Sequence, residues 1–295
     1  MTDKNIITTF MGKKVVVVTP AGRKQYMEIL FKYILRLKPV ITEYRLWVNT
    51  TNTEDIQFMK KFQEENRDFV TLEYLPANMP HDGSKTIHYF FKNCCDVNTV
   101  YVRFDDDIVC IDGIKEFSDF LKFRIENPQY FLVYANILNN AVISHIQQRH
   151  GTLDLNKGIA GYACMDPVGW NNGPFAEHIH EQIISKKFEL SQFKMNNWLL
   201  YFFERVSINA VAWLGEELSK FGGKIHWDEE EYISVVKPRE LNLANIIYGG
   251  FSCVHYAFYT QRPHIDKNPS ILKAYLEASN NLEVNQSKDV KYNSS

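Results

Sequence analysis

The stretch Tyr101–Asp112, YVRFDDDIVCID, sets three consecutive carboxylates, Asp105, Asp106 and Asp107, between two apolar runs. Adjacent negative charges repel and Asp is a poor strand residue, so the triplet raises the question of a cation. An Asp-x-Asp pair in a turn lets one oxygen from each side chain reach the same divalent ion. Mg²⁺ and Mn²⁺ favour such hard oxygen ligands and share their other positions with water and substrate phosphate. The plain alternative is a turn that caps a helix or faces solvent. A second acidic run, Asp228–Glu231 within WDEEEY, offers a carboxylate that could take a proton from an attacking hydroxyl. It also suits a helix N-terminus, since Asp228 with Glu231 makes a cap and acids favour that dipole end.

The elements around the triplet say more than the triplet. Lys13–Val18 (KKVVVV) is a β-branched run ending in Thr19-Pro20-Ala21-Gly22, a buried strand entering a loop. Tyr26, Leu30, Tyr33 and Leu37 then share one helical face, closed by Pro39. Tyr44–Val48 alternates as a strand, and Thr53 caps a helix carrying Ile56, Met59 and Phe62. Val70–Leu75 reads as a strand, Lys85–Cys94 as a helix, and Val100, Val102 and Phe104 as one face of a fourth strand. This alternation predicts an α/β fold with a mixed, mostly parallel sheet flanked by helices. Ligands of such sheets bind beyond the carboxyl ends of the strands, where Asp105–Asp107 fall. Arg103 points away from Val102 and Phe104, and a buried arginine needs an anionic partner, a phosphate or a neighbouring Asp.

Further on, Ile114–Ile125 reads as helix, Tyr130–Ala135 as strand, and His150–Pro174 as a Gly- and Asn-rich loop. Trp198–Leu214 reads as a long, apolar, buried helix, and the polar stretch after about Asn280 as a frayed tail. One domain is expected over 1–280, with 281–295 disordered.

The bulk properties exclude some partners. A chain of 295 residues with net charge -2 gives no bulk electrostatic case for nucleic acid or an anionic membrane. No apolar run approaches the ~20 residues needed to span a bilayer. The N-terminal stretch lacks the apolar core of a secretory signal. Five cysteines without CxxC spacing fit a reducing compartment, so a cytoplasmic location is expected. The Asn-, Ile- and Lys-leaning composition suggests an AT-rich genome, bacterial or of a large DNA virus, in which case the location is the host cytoplasm.

YVRFDDDIVCID resembles the DxD motif of nucleotide-sugar glycosyltransferases with the GT-A fold, a Rossmann-like architecture. VVVVTPAGR is similar to their first strand and nucleotide-contacting loop, SCVHYAFYTQR to the C-terminal segment in which a His completes the metal site, and WDEEEY to the acidic acceptor-side segment. Together these cover most of residues 13–265. The resemblance implies a donor half at 13–135 and an acceptor half at 136–280. It implies a Mn²⁺ or Mg²⁺ ion that bridges the diphosphate of a nucleotide sugar, UDP-sugar being the family's commonest donor, and a saccharide acceptor.

On this resemblance Asp105 serves the ribose or the metal, Asp107 the metal, Asp106 is a further candidate, and His255 is a third protein ligand. Thr19, Pro20 and Arg23 fall on the nucleotide loop, with Arg103 near the phosphates and Lys85 and Arg262 as lesser phosphate candidates or surface charges. Glu229 or Glu230 is the general base of an inverting transfer, with Asp228 as second choice. Trp170, Trp213 and Trp227 are candidate stacking platforms for the acceptor, Trp213 also being a core candidate. His178 and His180, two apart, would point away from each other on a helix and share no metal.

His255 has its own plain reading, a core histidine among Tyr256, Phe258 and Tyr259. The rivals are a metal-dependent phosphoesterase and a non-catalytic carbohydrate-binding protein. An aspartyl-phosphate phosphatase resembles its kin in an acid behind the first strand, where this chain has Thr-Pro-Ala-Gly. A nuclease would be expected to carry a basic track.

Overall fold

The computed structural model describes residues 9–292 other than 80, 82, 202, 203 and 227, with side chains as far as 282. The elements in chain order are β1 (Lys14–Ala21), α1 (Lys24–Leu37), β2 (Glu43–Val48), α2 (Thr53–Glu65), β3 (Val70–Tyr74), β4 (Thr99–Phe104), β5 (Ile108–Ile111), α3 (Ile114–Glu126) and β6 (Tyr130–Leu138). Then come α4 (Ala141–His150), α5 (Gly173–Ser185), β7 (Trp198–Leu200), β8 (Ala210–Leu214), α6 (Gly215–Ser219), α7 (Glu229–Glu231), α8 (Lys237–Leu241), β9 (Ala244–His255), α9 (Arg262–Ile265) and α10 (Pro269–Tyr292).

The strands form one mixed sheet in the order β3-β2-β1-β4-β8-β6-β9-β5, with β7 paired to β9. The first four are parallel, as the alternating strand and helix pattern predicts. The second half is mixed: β8 runs antiparallel between β4 and β6, and β6 and β9 are parallel. The four valines of β1 are all buried, which explains a continuous β-branched run where an exposed face would alternate. Tyr26, Leu30, Tyr33 and Leu37 lie on the buried side of α1, as their spacing predicts.

Several local expectations are corrected. The cap of α2 is Asn52, whose side chain accepts from the amides of Glu54 and Asp55, in place of Thr53. Gly83–Asn93 winds as 3₁₀ turns, broader than the expected Lys85–Cys94 helix. Trp47 is buried like its neighbours on β2 and stacks on Phe90 at 5.3 Å, because both faces of this sheet are covered. Where a helix over Trp198–Leu214 is expected, Trp198–Leu200 is β7 and Ala210–Leu214 is β8. Apolar content supports either structure; the choice fell to β4 and β6, whose free edges β8 fills. α10 carries its backbone through the polar tail as far as Tyr292.

Candidate functional site

β4 and β5 are joined by Asp105–Asp107, a turn closed by the Ile108 amide donating to the Asp105 carbonyl at 3.1 Å. The triplet therefore sits at the carboxyl end of β4, in a cavity of about 620 Å³ also lined by Trp170, Arg205 and Asp228–Glu230. Each aspartate is held differently.

Asp105 accepts from Arg103 Nε at 2.8 Å and from Asn209 Nδ2 at 3.0 Å. The antiparallel pairing of β8 with β4 makes the second contact possible, since Phe104 lies opposite Ala210 and the Asp105 amide donates to the Asn209 carbonyl. Asn140 Nδ2 in turn donates to Asn209 Oδ1 at 3.1 Å, tying this corner to the start of α4. Asp106 takes the Gly22 amide at 3.0 Å and Arg23 Nε at 3.0 and 3.2 Å, and Arg23 Nη2 also bonds to it. Arg23 occupies the N-cap of α1, where a cation opposes the helix dipole, and makes no capping bond. Asp106 supplies the compensating charge, which makes this aspartate the clamp of the β1–α1 loop.

Asp107 faces three cationic or ionisable groups on one oxygen, Oδ2. Arg262 Nη2 lies at 2.6 Å, Arg23 Nη2 at 3.2 Å and His255 Nε2 at 3.4 Å. Burial works against its charge, yet Arg23 and His255 hold Asp107 down to about 2. The strand pairing explains the encounter with His255. β5 runs antiparallel to β9 with Ile108 opposite His255, and the Tyr256 amide donates to the Asp107 carbonyl at 2.9 Å. His255 Nδ1 lies 3.0 Å from the Asn139 carbonyl, which accepts its proton and turns Nε2 toward Asp107. A histidine fixed this way at Nδ1 is oriented as metal-binding histidines are.

The acidic run lies on the opposite wall. Asp228 accepts from the Glu231 amide at 3.1 Å and so caps α7, and Arg205 Nη1 reaches it at 3.0 Å. Glu230 is paired with Arg205 Nε at 2.8 Å and accepts from Cys164 Sγ at 3.3 Å. Glu229 is different: it is 7% exposed, and burial pushes its carboxyl up to about 7 against the pull of Arg103. Arg103 Nη1, 3.6 Å from Glu229 Oε1, is buried and has no hydrogen-bond partner among the described residues. A buried carboxyl near neutrality that faces a cleft is a proton-transfer candidate on physical grounds.

The cavity brings together most of the residues singled out in the sequence: Pro20, Arg23, Lys85, Arg103, the three aspartates, Asp228, Glu229, Glu230, His255 and Trp170. Thr19 is corrected. It is fully buried and accepts from Tyr44 Oη at 3.0 Å, beneath the loop and away from the cavity. Arg262 is likewise more than a surface charge, because it holds Asp107. Trp213 is core, stacked on Tyr101 at 5.7 Å. His180 is buried between Tyr275 Oη and the Tyr256 carbonyl, and burial pushes it down to about 4. His178 pairs with Asp154 at 2.8 Å. Trp227 lies outside the described residues.

Sequence reasoning missed Arg205, Asn209 and Asn49, all in the cavity wall. A signal existed for Arg205: Glu204-Arg205 followed by Val-Ser-Ile-Asn interrupts the apolar run that reads as helix.

The donor set suits Mn²⁺ or Mg²⁺ in part. Asp107 and the pre-oriented His255 are a matched pair, with the Asp105 carboxylate beside them on the same turn. Among the described residues no three His, Cys, Asp or Glu side chains converge as a complete cage. These ions need none, since they commonly use one or two carboxylates and take the rest from water and phosphate.

No family model matches the chain, and no curated protein matches it either. Among solved structures, a mycobacterial protein is 12% identical over 86% of this chain and 71% of that one, with a TM-score of 0.47. The 4-diphosphocytidyl-2C-methyl-D-erythritol synthase of Anaerococcus prevotii is 11% identical over 90% of this chain and 96% of its own, at 0.42. Another 4-diphosphocytidyl-2C-methyl-D-erythritol synthase is 9% identical over 88% and 99%, at 0.44. Likeness at this level carries no argument about activity, so the functional reading rests on the cavity. What is defined is the class of fold: a mixed α/β domain with helices around one sheet and a polar cleft at the strand ends.

Proposed function

We propose that this protein is a metal-dependent glycosyltransferase that moves a sugar from a nucleotide sugar, UDP-sugar first among the candidates, to a hydroxyl of a saccharide acceptor. The observation that carries the reading is the pairing of two kinds of carboxylate across one cavity. Asp105 is paired with Arg103, Asp106 with Arg23, and Asp107 is held down to about 2 by Arg23 and His255, whereas burial pushes Glu229 up to about 7. A glycosyl transfer with inversion needs both.

In this reading Asp107 and His255, with Asp105, would hold Mn²⁺ or Mg²⁺, which supplies Lewis-acid stabilisation of the departing diphosphate. The protein's own groups do the remainder. Arg23 and Lys85 line the donor side and favour the diphosphate charge. Glu229 accepts the proton of the acceptor hydroxyl as that oxygen attacks the anomeric carbon and the bond to the diphosphate oxygen breaks. Arg103 steadies Asp105 and the ionised form of Glu229 that accepts the proton. Arg205 neutralises Asp228 and Glu230, which leaves Glu229 as the base in preference to either neighbour.

The test is thermal unfolding with UDP, other nucleoside diphosphates and Mn²⁺, followed by a panel of nucleotide sugars assayed for metal-dependent hydrolysis. A ligand that binds only the folded state raises the melting temperature by mass action. Stabilisation by a nucleotide together with Mn²⁺, and hydrolysis of its sugar conjugate, is the expected result. A protein indifferent to every nucleotide with and without metal would end the proposal.

A further inference from the structure

A second cavity, of about 700 Å³, opens on the other side of the acceptor-side wall, lined by Tyr162, Trp198 and Tyr201 together with His145, Arg149 and Glu204. We propose that this groove is a separate saccharide-binding site that holds the distal units of an oligosaccharide acceptor.

Three aromatic side chains converge in it. Tyr201 is 70% exposed and Tyr162 37%, and Trp198 Nε1 donates to Tyr162 Oη at 3.4 Å. Burying this ring area against an apolar face removes it from water, which favours binding. Trp and Tyr present an apolar face with a polar tip, which matches a pyranose, whose C–H face is apolar and whose edge carries hydroxyls. The groove's rim supplies both partners that hydroxyls need. Arg149 is a donor and Glu204 carries acceptor oxygens. The His145 Nδ1 proton goes to the Ala160 carbonyl at 2.7 Å, leaving Nε2 as an acceptor. An acyl chain or an apolar peptide would gain nothing from charges of both signs around the aromatic floor, since they would lose water without gaining partners.

The groove adjoins the candidate site at two backbone segments. Arg205 lines the first cavity and its neighbour Glu204 the second. On the loop between α4 and α5, Cys164 and Met165 face the first and Tyr162 the second. A chain of sugars whose terminal hydroxyl lies near Glu229 would cross this wall to reach Trp198. This deepens the proposed function and rests on its saccharide acceptor, although the groove binds sugar whether or not transfer occurs.

The experiment measures binding of chito-, malto- and cello-oligosaccharides of one to six units to the full chain by calorimetry and tryptophan fluorescence. Wild type, Tyr201→Ala, Trp198→Phe and Trp198→Ala are compared. The expected result is that one series binds more tightly with length. Tyr201→Ala and Trp198→Ala should weaken it about 10-fold or more, and Trp198→Phe should retain part of the affinity. Wild type that binds none of the three series, or ring-truncated variants that bind as wild type, would overturn the groove. Wild type that binds oligosaccharide but responds to no nucleotide, with or without Mn²⁺, would overturn the transferase reading alone.

Discussion

Arg103 Nη1 lies 3.6 Å from Glu229 Oε1 while Arg103 Nε donates to Asp105 at 2.8 Å, so one buried guanidinium joins the two acidic clusters. Burial opposes its charge, but Asp105 and Glu229 more than offset that cost and raise its pKa. The two walls of the cavity are thereby coupled through a single side chain.

Glu229→Gln is expected to lower turnover by about 10²–10⁴-fold, the range of a positioned general base, with nucleotide affinity unchanged. Single-turnover rates alongside nucleotide titrations check this. Equal turnover in the variant would move the base to another residue.

The pH dependence of the same group follows in sign. A base must be ionised, so the wild-type rate should rise with pH through about 7 and level off above it, a limb absent from Glu229→Gln. Stability runs the other way. The folded carboxyl sits near 7 against an ordinary 4.5, so its favourable contribution is complete below 4.5 and is lost as pH rises through 7. Glu229→Gln should therefore exceed wild type in stability at pH 8 by about 1–3 kcal/mol, read from urea midpoints at pH 5 and 8.

Asp107→Asn keeps the side-chain shape and removes the charge that Arg23, Arg262 and His255 share. It is expected to abolish Mn²⁺-dependent stabilisation by UDP and to cost about 2–3 kcal/mol at neutral pH. In the wild type the Asp107 contribution is present above the ordinary 3.8 and fades as pH falls through about 2. A melting curve in UDP and Mn²⁺ that matches wild type would remove Asp107 from the site.

Asn139 supports His255 from below. Its backbone has φ 61, its carbonyl accepts from His255 Nδ1, and its buried side chain donates to the Tyr256 carbonyl at 2.9 Å. Asn139→Ala adds backbone strain to lost hydrogen bonds and should cost about 2–4 kcal/mol. Asn139→Gly relieves the strain and should cost less, while both weaken Mn²⁺ affinity in the presence of UDP. Unaltered metal affinity in both variants would show that His255 orientation is irrelevant to the site.

Arg205→Ala should raise the pH at which the rate levels off, because Asp228 and Glu230 lose their cation and their field then disfavours ionised Glu229. A shift of the kinetic pKa upward checks it; a shift downward contradicts it.

The sequence by itself determined the local elements and the position of the aspartates. KKVVVV can only be a buried strand in this setting, the spacing of Tyr26 to Leu37 is helical, and Val100, Val102 and Phe104 carry Asp105–Asp107 to a strand end. These are short-range facts, written in periodicity and side-chain shape. The tertiary structure decided what each carboxylate touches. Asp107 meets His255 because β5 pairs with β9, and Asp105 meets Asn209 because β8 inserts antiparallel beside β4. Both contacts join residues more than 100 positions apart. The same insertion turned the apolar run before Leu214 into strand, since an apolar segment takes the structure that satisfies its neighbours' open hydrogen bonds. Charge placement followed: which acid is clamped by arginine and which is left buried near neutrality depends on distances that no linear pattern encodes.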